Sequence, residues 1–389
     1  MWGLTKLALS VGLAGCATTT TRLDNIVIAY DETTAESTAK LLLLNIARAR
    51  QNLPMHFTAI SNIVATYKFT FGGGLLPAAT GDFGWLPVPQ IGGSTEENPT
   101  VSISPMQGDE FTQRLLSPFH EQKLTLLLRQ GYDVDGLLRL LGAEVRLEGS
   151  VLPGVHRNRP ADKDGYATYR RVVSQLSSIQ DRHQLYVEPL HFQHTWTVPA
   201  DLVTPEAFQS TYKDFSLTLD PVARKYRVTK QVNGRVLISN YDPSKLSEEE
   251  RRVLHEKAEA VPFNDVLIDL RAGETGGELP FHGRLRLRSF HEVLTFIGRS
   301  IGEEPEVDIS PDPRTPLVSE NPPITLEIVE SLKPPDSAGP WVALNGRYYA
   351  LRPQQGYQWN LKSFSLLSQL FQMSVSNVVH TGPAITIAK

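Results

Sequence analysis

Four groups of residues have the types and spacing that chemistry would need. Ser37-Thr38-Ala39-Lys40 fits the S-x-x-K spacing in which a lysine activates a serine. Its companion S-D-N and K-T-G triplets do not occur, and the four residues open a leucine-rich helical stretch, so a structural role is expected. His191 and His194 could share a metal on a helix. Their stretch reads as a strand, where positions i and i+3 face opposite sides, and no metal site is expected. Arg284, Arg286 and Arg288 alternate with Leu285 and Leu287. A strand would put the three guanidinium groups on one face. That face could hold phosphate, uronic acid or lipid A groups through bidentate bonds, or could be paired with carboxylates. Cys16 is the only cysteine in 389 residues, which leaves no intramolecular disulfide and no cysteine-paired zinc site. No G-x-S-x-G, H-E-x-x-H or G-x-x-x-x-G-K occurs, so no catalytic residue, cofactor or metal is assigned.

The surroundings of Cys16 are specific. A short polar start with Lys6 precedes an apolar run from Leu7 to Ala14, too short for a spanning helix of about 20 residues. Small Ala14 and Gly15 lie just before the cysteine, and Ala17 and Thr18 to Thr21 form a polar tether after it. This is the layout of a secretory signal peptide over residues 1–15. The ending Leu13-Ala14-Gly15-Cys16 resembles the lipobox of bacterial lipoproteins. That resemblance implies acylation of the Cys16 thiol and cleavage just before it. It also implies sorting to the outer membrane, since residue 17 is Ala and not Asp. Multiple acylation would make the anchor effectively permanent, because one chain alone holds only marginally.

Composition sets further bounds. With 41% hydrophobic and 21% charged residues the chain is of ordinary globular type. Its length exceeds what a single core usually organises, so two or three sub-domains are expected. A formal net charge of −4 provides no basic field, and nucleic acid is not an expected partner.

The elements that must position these residues point to an α+β fold with mainly antiparallel sheets. A tether at 16–32 leads to an N-terminal α+β region at 33–152. It opens with a helix from a capping box at Thr33 to Glu36, whose Leu41 to Leu44 and Ile46 form a wide apolar face. Tyr67 to Phe71 alternates as a strand. Residues 72–99, with Gly72-Gly73-Gly74 and several prolines, read as a long loop. Phe83 and Trp85 in it are candidates for a partner surface, or for packing back onto the body. Leucines at 124, 126–128, 137, 138, 140 and 141 mark a compact helical unit closed by Gly142. A strand-rich region follows at 153–302. Thr204-Pro205-Glu206 caps a helix there, a hairpin is expected at Asn233-Gly234, and Ser247–Glu250 and Ser289–Glu292 form capping boxes. Residues 303–323 hold six prolines and six acidic residues and read as a linker. The last segment, 324–389, carries a hairpin at Asn345-Gly346. A helix striped by Leu361, Phe364, Leu367, Leu370 and Phe371 follows, then a closing strand at Ala384 to Ile387.

The runs PTVSISPMQGDEFTQRLLSPF (99–119) and VALNGRYYALRPQQGYQWNLKSFSLLSQLFQM (342–373), with Arg288-Ser289 before a helix, resemble patterns in a group of predicted proteobacterial outer-membrane lipoproteins. The resemblance implies architecture and address, not an activity. The function expected is a non-catalytic outer-membrane lipoprotein, held to the membrane by its N-terminal lipid and acting through an envelope protein partner. The alternatives are an envelope lipoprotein that binds peptidoglycan or an anionic glycan, and a hydrolase whose dispersed site one sequence does not reveal.

Overall fold

The computed structural model describes residues 27–79, 85–149, 152–202, 215–336, 339–353, 358–375 and 385–388. Cys16, the signal peptide, Phe83 and the helix expected at Thr204-Pro205-Glu206 lie outside the described residues. The fold is α+β, with eight helices and three mostly antiparallel sheets among those residues. They divide into two compact units. One runs to Asn45 and takes in Met55–Thr112 and the last strand; the other holds Ile46–Pro54 and Gln113–Val375.

Helix α1, residues 27–50, starts earlier than the expected cap, and the division between the units falls within it, after Asn45. Thr33, Thr34 and Thr38 donate their hydroxyls to carbonyls four residues back, at 2.7, 2.8 and 2.9 Å, so they lie inside the helix and do not begin it. Asn45 then pins the returning chain: its Nδ2 donates to the His56 carbonyl at 2.9 Å, and its Oδ1 accepts the His56 N–H at 2.8 Å.

Strands β1 (Phe57–Ala79) and β2 (Trp85–Met106) pair antiparallel from Phe57↔Met106 to Ala79↔Trp85, with one irregularity at Ile60/Asn62. The stretch expected as a loop at 72–99 is therefore the outer half of a two-stranded arm. The open edges of a two-stranded ribbon tolerate the glycine run and the prolines that break up its alternation, so its sequence reads as loop. The closing strand β13 (Ile385–Ala388) pairs with Thr100–Ile103 of β2, at the arm's base.

Helix α2 (Asp109–Leu116), which the division after Thr112 cuts, leads into α3 (Glu121–Arg129) and α4 (Val134–Leu141) of the second unit, the leucine-rich helices expected. Leu124, Leu127, Leu137, Leu138, Leu140 and Leu141 are fully buried there. Gly142 does not end α4 in a left-handed turn. It enters β3 (Gly142–Glu148) at φ −80°, and its lack of a side chain leaves room for the Tyr169 hydroxyl. Next come β4 (Gly154–Arg157), α5 (Lys163–Gln180), β5 (Tyr186–Pro199), β6 (Ser216–Asp220) and β7 (Lys225–Ser239). The capped helix α6 (Glu248–Glu259), β8 (Asp265–Leu270), β9 (Phe281–Leu287) and the capped helix α7 (Phe290–Ser300) follow. Both expected capping boxes are complete.

These strands make one seven-stranded sheet in the order β4-β3-β9-β8-β7-β5, with β6 on β7 and a single parallel pair, β7–β8. Because β3 bonds to β9, the sheet crosses the boundary expected at 152/153. Asn233-Gly234 is not a turn. It lies inside β7 where two residues are inserted opposite Leu190, and the actual turn joins Asp220 to Lys225. A Cβ at Gly234 would stand 2.8 Å from His255 Nδ1 and 3.0 Å from the Leu190 carbonyl, so close approach is what requires glycine there.

The acidic, proline-rich stretch 303–323 is a strap clamped to the helices, not a linker. Glu306, 9% exposed, accepts the Tyr166 hydroxyl at 2.9 Å and the Thr325 N–H and hydroxyl at 2.9 and 2.7 Å. Arg139 Nη2 donates to Asn321 Oδ1 at 2.7 Å and Nη1 to the Pro322 carbonyl. Arg170 Nη2 also reaches the Pro322 carbonyl, at 3.1 Å. Proline lacks an N–H but keeps its carbonyl, and here buried arginines use it. Asp135 holds Arg139 Nε at 2.7 Å, although burial pushes the carboxyl up and the guanidinium down.

Beyond the strap, β10 (Ile328–Ser331), β11 (Trp341–Leu344) and β12 (Arg347–Leu351) form a sheet in the order β10-β12-β11. Asn345 and Gly346 turn the hairpin at φ 49° and 75°, the positive pair a type I′ turn requires. Helix α8 (Trp359–Val375) buries Phe364, Leu367, Leu370 and Phe371, while Leu361, expected in the same stripe, is 55% exposed.

Candidate functional site

The arginine strand is β9, and its register explains its chemistry. On one face of the sheet, Glu144, Arg286 and Asp265 form a row across β3, β9 and β8. The next row is Arg146, Arg284 and Leu267, and the third is Glu148, His282 and Asp269. Arg286 Nε donates to Asp265 Oδ1 at 3.1 Å, and its Nη1 lies 3.3 Å from Glu144. The hydrogen bond to Asp265 holds the Arg286 guanidinium above its ordinary range. Arg146 shares the same Glu144 oxygen, Oε1, at 2.7 Å. The structure thus favours the carboxylate-paired alternative for Arg286. Arg284 is looser: its Nε is buried, 3.6 Å from Asp265, and makes no hydrogen bond.

Arg288 does not share that face as a solvent-exposed group. It is 6% exposed and donates to the carbonyls of Arg139 (3.2 Å), Leu140 (3.1 Å) and Asn158 (2.5 Å). Its guanidinium stacks 4.1 Å from the Phe296 ring. Two of those carbonyls end α4, where the helix dipole favours a cation. Burial pushes its pKa down to about 10, which still leaves it charged at neutral pH. Arg288 is a clamp in the core, and the expected ligand surface of three arginines is corrected to Arg284 and Arg286.

Beside Arg284 the third row opens into a cleft of about 680 Å³ between α6 and strands β8 and β9. Val253, Leu254 and Lys257 of α6 form one wall, and Leu267 and Gly283 line the floor. At its rim, Asp269 gathers three donors. Oδ1 accepts His282 Nδ1 at 2.8 Å; Oδ2 accepts Arg271 Nε at 3.0 Å and the Tyr241 hydroxyl. A carboxylate only accepts, so His282 carries its proton on Nδ1 in this pair. Arg271 also lies 4.3 Å from the Tyr241 ring. Burial and the bond to Asp269 push the Tyr241 hydroxyl far above its ordinary value, so it stays a donor. The sequence carried no signal for this cluster, because its members come from β7's end, β8 and β9 with no fixed spacing. None of the described residues lining the cleft is Ser, Thr or Cys.

The remaining expected residues are dispersed. His191 Nδ1 bonds the Asn233 side chain at 2.9 Å, whereas the His194 ring lies 5.5 Å from Trp196, as strand geometry requires. Lys40 pairs with Glu36 at 2.6 Å, within α1. Among the described residues no group of three metal-ligating side chains occurs. Trp85 begins β2, paired in register with Ala79.

Scanned against protein-family models, curated proteins and solved structures, the chain matches none.

Proposed function

We propose that this chain is a lipid-anchored protein of the bacterial outer membrane that acts through contacts in the envelope, not through catalysis. The observation that carries the reading is the β1–β2 arm. A ribbon paired over more than twenty residues of each strand is far longer than a core needs and offers unpaired edges to another chain. The anchor rests on the lipobox-like Leu13 to Cys16. Two measurements test it. Cys16→Ser is expected to move the chain from the membrane pellet to the soluble fraction. A photo-crosslinking residue at Thr66 of the arm is expected to give one discrete adduct in living cells, and the same residue at Thr218 none. Unchanged fractionation removes the anchor from the reading, and equal adducts at both sites remove the arm.

A second reading is favoured by the cleft beside Arg284, whose volume suits a small ligand and whose guanidinium has an unsatisfied Nε. An anionic glycan or a peptidoglycan fragment fits that chemistry. Co-sedimentation with purified peptidoglycan, lost on Arg284→Ala but kept with His191→Ala, supports it; equal pelleting of both variants ends it.

A further inference from the structure

We propose that the outer part of the β1–β2 arm enters a lipid bilayer, and that arms from several copies of this chain close there into a β-barrel. Residues two apart in a strand share a face, and so do directly paired residues, so the register sorts the arm into two surfaces. One surface carries Ile63, Tyr67, Phe69, Phe71 and Leu75 on β1, joined by Ile91 and Trp85 on β2, with Glu97 opposite Tyr67 just outside the uncharged stretch that begins at Phe69. The other carries Asn62, Thr66, Lys68 and Thr70, facing Ser102, Asn98, Glu96 and Ser94 in the same order. From Phe69 to Leu75 the first surface is apolar and the second small or polar, the pattern of a barrel strand between lipid and a watery lumen; in the last rows before the tip Leu76, Leu86 and Val88 make the second surface apolar too.

The dimensions agree. Beyond the Lys68↔Glu96 pair, Phe69–Ala79 and Trp85–Thr95 contain no charged residue, eleven positions on each strand. A membrane-crossing strand needs about 9–11. Aromatic residues mark both ends of that stretch, Tyr67 and Phe69 at one and Trp85 at the other, where the interfaces of a barrel carry them. The only charge in the sequence between the two stretches is Asp82.

Several copies are needed because of the backbone. Among the described residues no strand pairs with the outer edge of β1, or with β2 beyond the short β13 contact. Hydrocarbon does not tolerate open strand edges, and only closure satisfies them. Identical hairpins set head to tail close as a ring, and the smallest filled barrels have about eight strands, hence about four copies or more. Pro77, Pro87 and Pro89 fall in the last rows towards the tip. They end the lateral ladder at the far rim and contribute no N–H that would need a partner there. From Phe69 to Gly74, facing Gln90 to Thr95, both strands keep every donor.

The inference deepens the contact reading by naming the partner, a further copy of the chain, and the surface it meets. It is tested with the full chain in phosphatidylethanolamine–phosphatidylglycerol vesicles, so it does not depend on cellular sorting. Single cysteines are placed in turn from position 68 to 75, with the parent chain as blank. Expected is a period of two: a water-soluble maleimide labels 68, 70, 72 and 74, while probes at 69, 71, 73 and 75 are quenched by lipid-borne nitroxide. An oligomer several times the monomer mass should survive unboiled detergent gels and collapse on boiling. Phe71→Arg should cut vesicle insertion on the order of tenfold or more, whereas Thr70→Arg on the lumen side should stay within about twofold. Equal water labelling at both parities, or alternation in a chain that stays monomeric, overturns the barrel. A chain that alternates in vesicles yet stays soluble in cells keeps the barrel and loses the proposed address; the reverse pattern keeps the anchor and loses the barrel.

Discussion

Of the three arginines spaced two apart at 284, 286 and 288, the last lies just past β9, and burial separates its fate from that of Arg286. Arg288 is enclosed and its guanidinium satisfies three main-chain carbonyls. Arg288→Ala should therefore lower unfolding free energy by about 3–5 kcal/mol in urea titration, since buried acceptors lose their donor. Arg286 pairs with two carboxylates but is 37% exposed, so Arg286→Ala should cost no more than about 1 kcal/mol in the same titration. A ratio near one between the two effects would refute this ranking. The alternation of Arg and Leu was legible in the sequence; which arginine lay under α4's end was not, because that depends on a helix 150 positions upstream. The Tyr241, Asp269, Arg271 and His282 cluster was invisible for the same reason.

At the scale of elements, identical local chemistry led to opposite outcomes. Asn345-Gly346 turns a hairpin, while Asn233-Gly234 runs on within β7. The difference lies in what flanks them: β7 is paired with β5 on both sides of Asn233-Gly234, Val232 with Phe192 and Val236 with Pro189, and that ladder holds it extended. Gly234→Ala should cost about 1–3 kcal/mol through the clash with His255 and the Leu190 carbonyl, measured by denaturant midpoint. The strap has a pH signature. Arg159 donates to Glu304 at 2.6–3.0 Å and holds its carboxyl below the ordinary range. A depressed carboxyl contributes stability above its unfolded pKa of about 4.5 and loses it as pH falls through the lower folded value. Hydrogen exchange in the strap should thus rise on acidification below that point, and Glu304→Gln should flatten the change. The prolines and acids of this strap were plain in the sequence. Their partners were buried arginines on two distant helices, which composition does not disclose.

On the scale of the whole chain, the α+β class and the leucine-rich helices were legible because they rest on local periods. The arm was hidden because Gly72-Gly73-Gly74 and the prolines at 77, 87 and 89 interrupt its alternation and read as turn residues. The seven-stranded sheet joins β3 at 142–148 to β9 at 281–287. A chain ending at Leu279 should therefore give no cooperative urea transition, whereas one ending at Val375 should keep it. Comparable transitions in both would show that β3 and its neighbours fold without β9.

The single parallel pair, β7 with β8, and the late arrival of β9 set an order of assembly. A strand that waits some 130 residues for its neighbour makes folding slow, since distant ends must meet before pairing is rewarded. For a polypeptide threaded lengthwise through a translocation pore, that delay is useful. On the export proposed above, the body would stay an open string until its second half had crossed, and the sheet would close only on the far side.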